Sequence, residues 1–90
     1  MLRALEDLIL IARKRKKNPA INSYTNKLLE NKSFAKEKIL EEVEELVNAL
    51  EKDSNKIHEA ADVFYHLLIY LESNNVKIED VMVELENRKK

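Results

Sequence analysis

The sequence predicts an all-α fold, a small helical bundle built around two long central helices, and three observations carry that prediction. The 90 residues include no glycine and one proline, so the frequent tight turns of a β-rich chain have no residues to make them. Apolar residues make up 44% of the chain and charged ones 37%, a balance that suits amphipathic helices. The apolar positions recur three and four apart along most of the chain, the period of an α-helix.

Each element follows from that spacing and from its boundary residues. Leu2, Leu5, Leu8, Ile9 and Ala12 set a first helix over about residues 2–17. It closes on Arg13-Lys14-Arg15-Lys16-Lys17, cations at the negative end of the helix dipole, and Asn18-Pro19 stops it. A loop through Ser23 leads to a short helix bearing Lys27, Leu28 and Leu29, with a break expected from Asn31 to Ser33. A long third helix is predicted over about 34–52, and a fourth, capped by Asp53 or Ser54, to about residue 73. Asn74-Asn75 can supply the left-handed residue that ends a helix where glycine is lacking. A last helix over about 78–89 opens on Glu79-Asp80 and closes on Arg88-Lys89-Lys90.

The same composition excludes several functions. A phosphate-binding P-loop or a dinucleotide turn needs glycines to let the backbone approach the phosphates, and there are none. Without cysteine there is no disulfide, thiolate zinc site or cysteine nucleophile. The longest apolar run is interrupted by His66 and falls well short of the roughly 20 residues that span a bilayer. The N-terminus lacks the layout of a signal peptide, and a net charge of −1 draws the chain toward neither nucleic acid nor membrane. The expectation is one cytoplasmic domain over residues 1–90. A chain this short buries only roughly 60–65% of its unfolded surface, so completion of the core by a second copy, a homodimer, is expected.

The chemistry lies in acids on the wrong face. At about 100° per residue, Ile39, Val43, Leu46, Val47, Ala49 and Leu50 form one apolar arc of the third helix. Glu42 falls inside that arc and Glu45 at its edge, whereas Glu41 and Glu44 point away. The fourth helix is apolar on nearly every side from Val63 to Leu71, and its narrow polar strip holds Glu59, Asp62 and His66. Two consecutive helices thus each offer a pair of carboxylates three apart. Such acids would repel one another or take up protons in an apolar interior, and a hard divalent cation, Mg2+ or Mn2+, resolves the conflict. A solvated acidic face is the competing reading of EEVEEL taken alone; two pairs on consecutive helices favour the metal. The basic run at 13–17 can hold phosphates beside such a site, and His66, one turn beyond Asp62, can act behind the ligands or toward a substrate.

Carboxylates spaced EExxE and then ExxD, here Glu41-Glu42-Val43-Glu44-Glu45 and Glu59-Ala60-Ala61-Asp62, resemble the MazG-like all-α NTP pyrophosphohydrolases. Arg15-Lys16, the SYTxKL string from Ser23 to Leu28, Lys38, and EAADVFYHLL from Glu59 to Leu68 resemble the phosphoribosyl-ATP pyrophosphohydrolase family more narrowly. Leu40 stands where that family usually has glycine, and Glu44 is an added acid. The resemblance implies a homodimeric, magnesium-dependent enzyme that cuts phosphoribosyl-ATP between its α and β phosphates. It implies Glu42, Glu45, Glu59 and Asp62 as metal ligands and Glu41 as an outer ligand or water-orienting group, so that Glu41, Glu42, Glu45 and Lys38 form the catalytic set. Arg15, Lys16, Ser23, Tyr24, Lys27 and His66 would then bind substrate. The rivals are a house-cleaning nucleotide pyrophosphatase of the same fold and a non-catalytic helical adaptor.

Overall fold

The computed structural model describes residues 1–89, and the expected Lys90 at the end of the last helix lies outside them. Five helices follow one another: α1 Arg3–Lys17, α2 Tyr24–Glu30, α3 Lys32–Lys52, α4 Lys56–Ser73 and α5 Ile78–Asn87. No strand occurs among the described residues. The two long helices, α3 and α4, form an antiparallel hairpin with the most extensive packing in the molecule, and α1 and α2 lie against α4. The core gathers Ala12, Leu28, Ala35 and Ile69, with Leu8, Leu29, Phe34, Tyr65 and Tyr70 packed around them. Three of the buried core residues are alanines (Ala12, Ala35, Ala49), which lets helix axes approach closely.

Several boundaries differ from expectation, each for a local reason. Asn31 alone separates α2 from α3: it ends one helix, and its side-chain oxygen accepts from Phe34 N at 3.0 Å to start the next. Asp53 and Ser54 do not cap α4. Asp53 closes α3 in the left-handed region (φ 53°), with its N–H donating to the last carbonyls of α3. Asn55, also left-handed, precedes α4 without a side-chain cap. Among the described residues, four have positive φ, Asn22, Asp53, Asn55 and Asn75, the side chains that tolerate this conformation best when no glycine is available. Of the Asn74-Asn75 pair it is Asn75 that turns left-handed. The last helix ends at Asn87, two residues early, and Arg88 follows as its cap.

The apolar arc of α3 is only half covered. Ile39 and Ala49 are buried against the neighbouring helices, as is Glu42. Leu40, Val43, Val47 and Leu50 remain exposed, because they lie about 20–100° around the helix from Ile39, where this single chain has nothing to set against them. Helix α4 likewise leaves Ile57, Phe64 and Leu67 exposed, and α5 buries no residue at all. Two groups hold the remainder in place. Arg13 bridges the buried Glu72 at 3.4 Å and Glu79 on α5, and its guanidinium holds the Glu79 carboxyl down to about 2. Asn26, itself buried, accepts from Ala20 N at 2.8 Å and donates to the Arg15 carbonyl at 3.0 Å, clamping the loop between α1 and α2.

That clamp gives a direct expectation. Asn26→Ala leaves the half-buried Ala20 amide and Arg15 carbonyl without these partners, so it should destabilise the protein by about 1 kcal/mol. A urea denaturation midpoint unchanged from wild type would show that the clamp does not hold the loop.

Candidate active site

Which carboxylates meet is decided by the hairpin. The three-residue turn between α3 and α4 brings the second half of α3 alongside the first half of α4. Glu42, Glu45 and Glu59 each place an oxygen within 4.8 Å of the others, and Glu59 shares the same separation with Asp62 and His58. All four sequence-predicted acids therefore converge, linked through Glu59. Glu42 is only 7% exposed, and neither its Oε2 nor that of Glu59 has a hydrogen-bond partner. Burial pushes both carboxyls above the ordinary carboxylate range, and the nearby Glu45 raises them further. Buried polar oxygens left unpaired are rare in folded proteins. Several close acids with two orphaned oxygens fit a hard divalent cation, which takes oxygen ligands and removes the mutual repulsion.

Behind the acids lies a chain of hydrogen bonds. His66 is buried; its Nδ1 donates to the Asp62 carbonyl at 2.8 Å, since a carbonyl only accepts. Tyr24 sits with its hydroxyl 2.9 Å from His66 Nε2. Burial raises the Tyr24 phenol, against the opposing effect of Lys38, which keeps its proton available for that contact. Both ring nitrogens of His66 are thus engaged within the protein, and its place is between Tyr24 and the helix turn that carries Asp62. Lys38 lies beside this group, 3.4 Å from the exposed Glu41. Glu44 is exposed, and so is Leu40.

The basic candidates divide. Arg15 Nη1 donates to Ser23 Oγ at 2.7 Å, and Ser23 in turn caps α2 just before Tyr24. Lys27 stands 4.2 Å over the Phe34 ring, and Ser23, Tyr24 and Lys27 line one cleft of about 570 Å³. Lys16 is different. Its ammonium donates to the Glu72 carbonyl at 2.8 Å and pairs with the Glu72 carboxylate. Thirteen residues separate Glu72 from Glu59 on one helix, roughly 20 Å at the α-helical rise. The structure does not bring Lys16 to the acids. Consecutive residues point about 100° apart on a helix, so Arg15 and Lys16 cannot both face one site; Lys16 shares its side with Arg13 instead.

Two residues at the site escaped the sequence reading. His58 Nε2 lies 3.3 Å from Asp62 Oδ2, a contact that the four-residue spacing already permitted. Asn26, whose clamp sets the cleft wall, left no signal beyond its place inside SYTxKL.

The central hairpin thus collects uncompensated carboxylates beside a lysine and a tyrosine. Among known proteins, the family described as "Phosphoribosyl-ATP pyrophosphohydrolase" matches residues 2–89. A phosphoribosyl-ATP pyrophosphatase of Clostridium acetobutylicum is 43% identical over 89 residues, covering 93% of this chain and 79% of the relative. One of Listeria welshimeri is 40% identical over 87 residues, covering 93% and 84%. The histidine biosynthesis bifunctional protein HisIE of Pyrococcus furiosus is 40% identical over 90 residues, which is 99% of this chain but 43% of that protein. No solved structure matches. The chain belongs to the phosphoribosyl-ATP pyrophosphohydrolase family.

The orphaned acids carry a pH signature. A carboxyl raised by folding stabilises the protein below the ordinary carboxylate range, and that contribution is lost as pH rises through the raised value. Metal-free protein should therefore lose stability as pH climbs from the ordinary range toward neutrality. Glu42→Gln should flatten this slope and raise the neutral-pH Tm, each 1 kcal/mol reading as about 4–8 °C in a chain of this size. Calorimetry in EDTA across that pH range would reveal it; a lower Tm for the variant would contradict the assignment.

Proposed function

We propose that this chain hydrolyses phosphoribosyl-ATP to phosphoribosyl-AMP and pyrophosphate in histidine biosynthesis, with Mg2+ (or Mn2+ in its place) as cofactor, as a cytoplasmic homodimer. The observation that carries the reading is the pair of orphaned carboxylate oxygens on Glu42 and Glu59, set among Glu45 and Asp62 in a member of this family. Water adds to a phosphorus of the α–β anhydride, the bridging P–O bond breaks, and the proton passes from water to a carboxylate or solvent.

Glu42, Glu45, Glu59 and Asp62 would hold the metal, which when bound supplies charge neutralisation at the phosphates and a more acidic water. The remaining work falls to the protein's own groups. Lys38, one helical turn before Glu42 on α3, meets the negative charge that grows on the departing pyrophosphate. Glu41 holds Lys38 in that position through their contact. His66 fixes the Tyr24 hydroxyl at the edge of the acids, and Arg15 braces Ser23, so that Ser23, Tyr24 and Lys27 present one wall to the ribose and phosphates. The cleft of about 570 Å³ is walled by the α1–α2 loop and α2 and includes none of the four acids in its lining.

Dimerisation rests on the apolar strips left open on α3 and α4, Leu40, Val43, Val47 and Leu50 on one and Phe64 and Leu67 on the other. Contiguous exposed apolar surface of this kind is unusual on a monomer and marks an association site. Among the described residues, no helix is long and apolar enough to cross a membrane.

Four measurements test the reading. Asp62→Asn and Glu45→Gln should each nearly abolish pyrophosphate release from phosphoribosyl-ATP, as should EDTA, while the fold is retained; substantial activity in both variants would sink the metal assignment. A dNTP turned over as fast as phosphoribosyl-ATP would instead identify a general nucleotide pyrophosphatase. Among the cations, Lys38→Ala should lower kcat and Arg15→Ala should act mainly on KM, each by roughly ten- to a hundredfold in kcat/KM. The exposed Lys14 and Lys17 serve as controls, and equal losses there would reduce the basic run to a diffuse field. Sedimentation should give a dimer at micromolar concentration; a fully active monomer would refute that part.

A further inference from the structure

The acids of α4 carry a nitrogen neighbour that the proposed magnesium chemistry does not use. His58 begins the segment His58-Glu59-Ala60-Ala61-Asp62 near the start of α4. Residues four apart share a helix face, and His58 Nε2 accordingly lies 3.3 Å from Asp62 Oδ2. His58, Glu59 and Asp62 each offer one ligand atom, all within 4.8 Å of one another. Ligands on one cation of this size lie about 3–4.2 Å apart, twice a metal–ligand distance of about 2.1 Å at most. Small side-chain adjustments close the difference.

Packing does not account for this contact. The side chains of His58 and Asp62 are 66% and 36% exposed, and an ion pair at such exposure contributes little to stability. At 3.3 Å it is also longer than a charge-assisted hydrogen bond, about 2.7–2.9 Å. Glu59, the residue between them in the cluster, has a buried Oε2 with no partner. The same Glu59 belongs to the group with Glu42, whose side chain is more than nine-tenths buried with its own Oε2 unpaired. Two ligands four residues apart on one helical face is the spacing by which paired histidines hold zinc; here an aspartate stands in the second place.

We propose that His58 is a nitrogen ligand to a divalent cation held with Glu59 and Asp62, and that it gives this chain a preference for a transition metal such as Mn2+ over Mg2+. The proposal rests on the carboxylates binding a divalent cation as set out above. Magnesium takes oxygen ligands almost exclusively and gains little from imidazole, whereas first-row transition metals bind imidazole well. Carboxylate oxygens suit both ions, and the imidazole adds affinity chiefly for the transition metal.

The chain has two histidines, and both nitrogens of His66 are already engaged, which makes the test specific. Full-length protein loaded with Mn2+ is measured by electron spin-echo spectroscopy, and Mn2+ and Mg2+ affinities by calorimetry, for wild type and His58→Gln. The expected result is nitrogen coupling to Mn2+ in wild type that disappears in the variant. Mn2+ affinity falls at least about tenfold and Mg2+ affinity less than about threefold. Bound Mn2+ without nitrogen coupling, or coupling that survives His58→Gln, overturns the proposal while leaving the acidic site intact. Equal losses for both ions, again without coupling, make His58 a group that positions Asp62, and overturn it as a ligand. Failure of wild type to bind either ion overturns the metal reading itself, and the proposal with it.

Discussion

Glu42 is placed where the α3–α4 hairpin needs an apolar side chain, and much of the molecule is arranged around that fact. A leucine or valine there would contribute roughly 1.5–3 kcal/mol by burial, whereas an unpaired buried carboxylate costs several kcal/mol. Glu45, Asp62 and Glu59 make matters worse, since each raises the charge density that Glu42 must face. The hairpin therefore carries a local instability at its middle, where a purely structural hairpin would be tightest. What compensates lies further along α4, beyond the acids. There Ile69 is fully buried, and Leu28, Ala12 and Ala35 from three other helices close around it. Stability and chemistry occupy different lengths of the same helix.

The glycine-free composition shapes how the helices are joined. Three of the four helix junctions hold an asparagine or aspartate at positive φ, Asn22 before α2, Asp53 and Asn55 between α3 and α4, and Asn75 before α5, whereas Asn31 between α2 and α3 stays extended. These residues pay a smaller steric penalty than others in the left-handed region and can bond their own backbone. The α3–α4 turn uses two of them within three residues, and its tightness sets the register that pairs Glu45 with Glu59.

Much of this was legible from spacing alone. The five helices follow from the three-and-four apolar period, and the burial of Glu42 follows from its angle between Ala49 and Leu46. The convergence of both acid pairs follows from a short turn between consecutive helices. What was not legible depended on partners. The arc of α3 gave no sign that α4 would cover Ile39 and Ala49 but leave Val43, Val47 and Leu50 open, because one chain's periodicity records every surface that is to be covered, by whatever partner. Asp53 and Ser54 look alike as caps in sequence; the left-handed backbone at Asp53 closes α3 instead and shifts the start of α4. The resemblance places Lys16 with Arg15 at the substrate, whereas the helix turns Lys16 toward Glu72. His58 sits among polar residues on an exposed face, where nothing in the apolar pattern singles it out.

The division of the basic run has a further consequence for how site and scaffold are coupled. Arg13 and Lys16 converge on Glu72, at the far end of α4, and fasten α1 across the helix that carries the acids. Arg15, one side of the same helix over, braces Ser23, and its own carbonyl is held by Asn26. Helix α1 is thus tied at once to the C-terminal end of α4 and to the start of α2. Tyr24 follows directly on Ser23 and reaches back to His66 in the middle of α4. The path from α4 through α1 and α2 to α4 is closed, and each contact between helices in it is a hydrogen bond or ion pair. A closed path of this kind fixes the distance between the Tyr24–Lys27 wall and the carboxylates without any covalent staple. That is how a chain with a thin core and no disulfide can hold a wall and a cluster of repelling acids in one geometry.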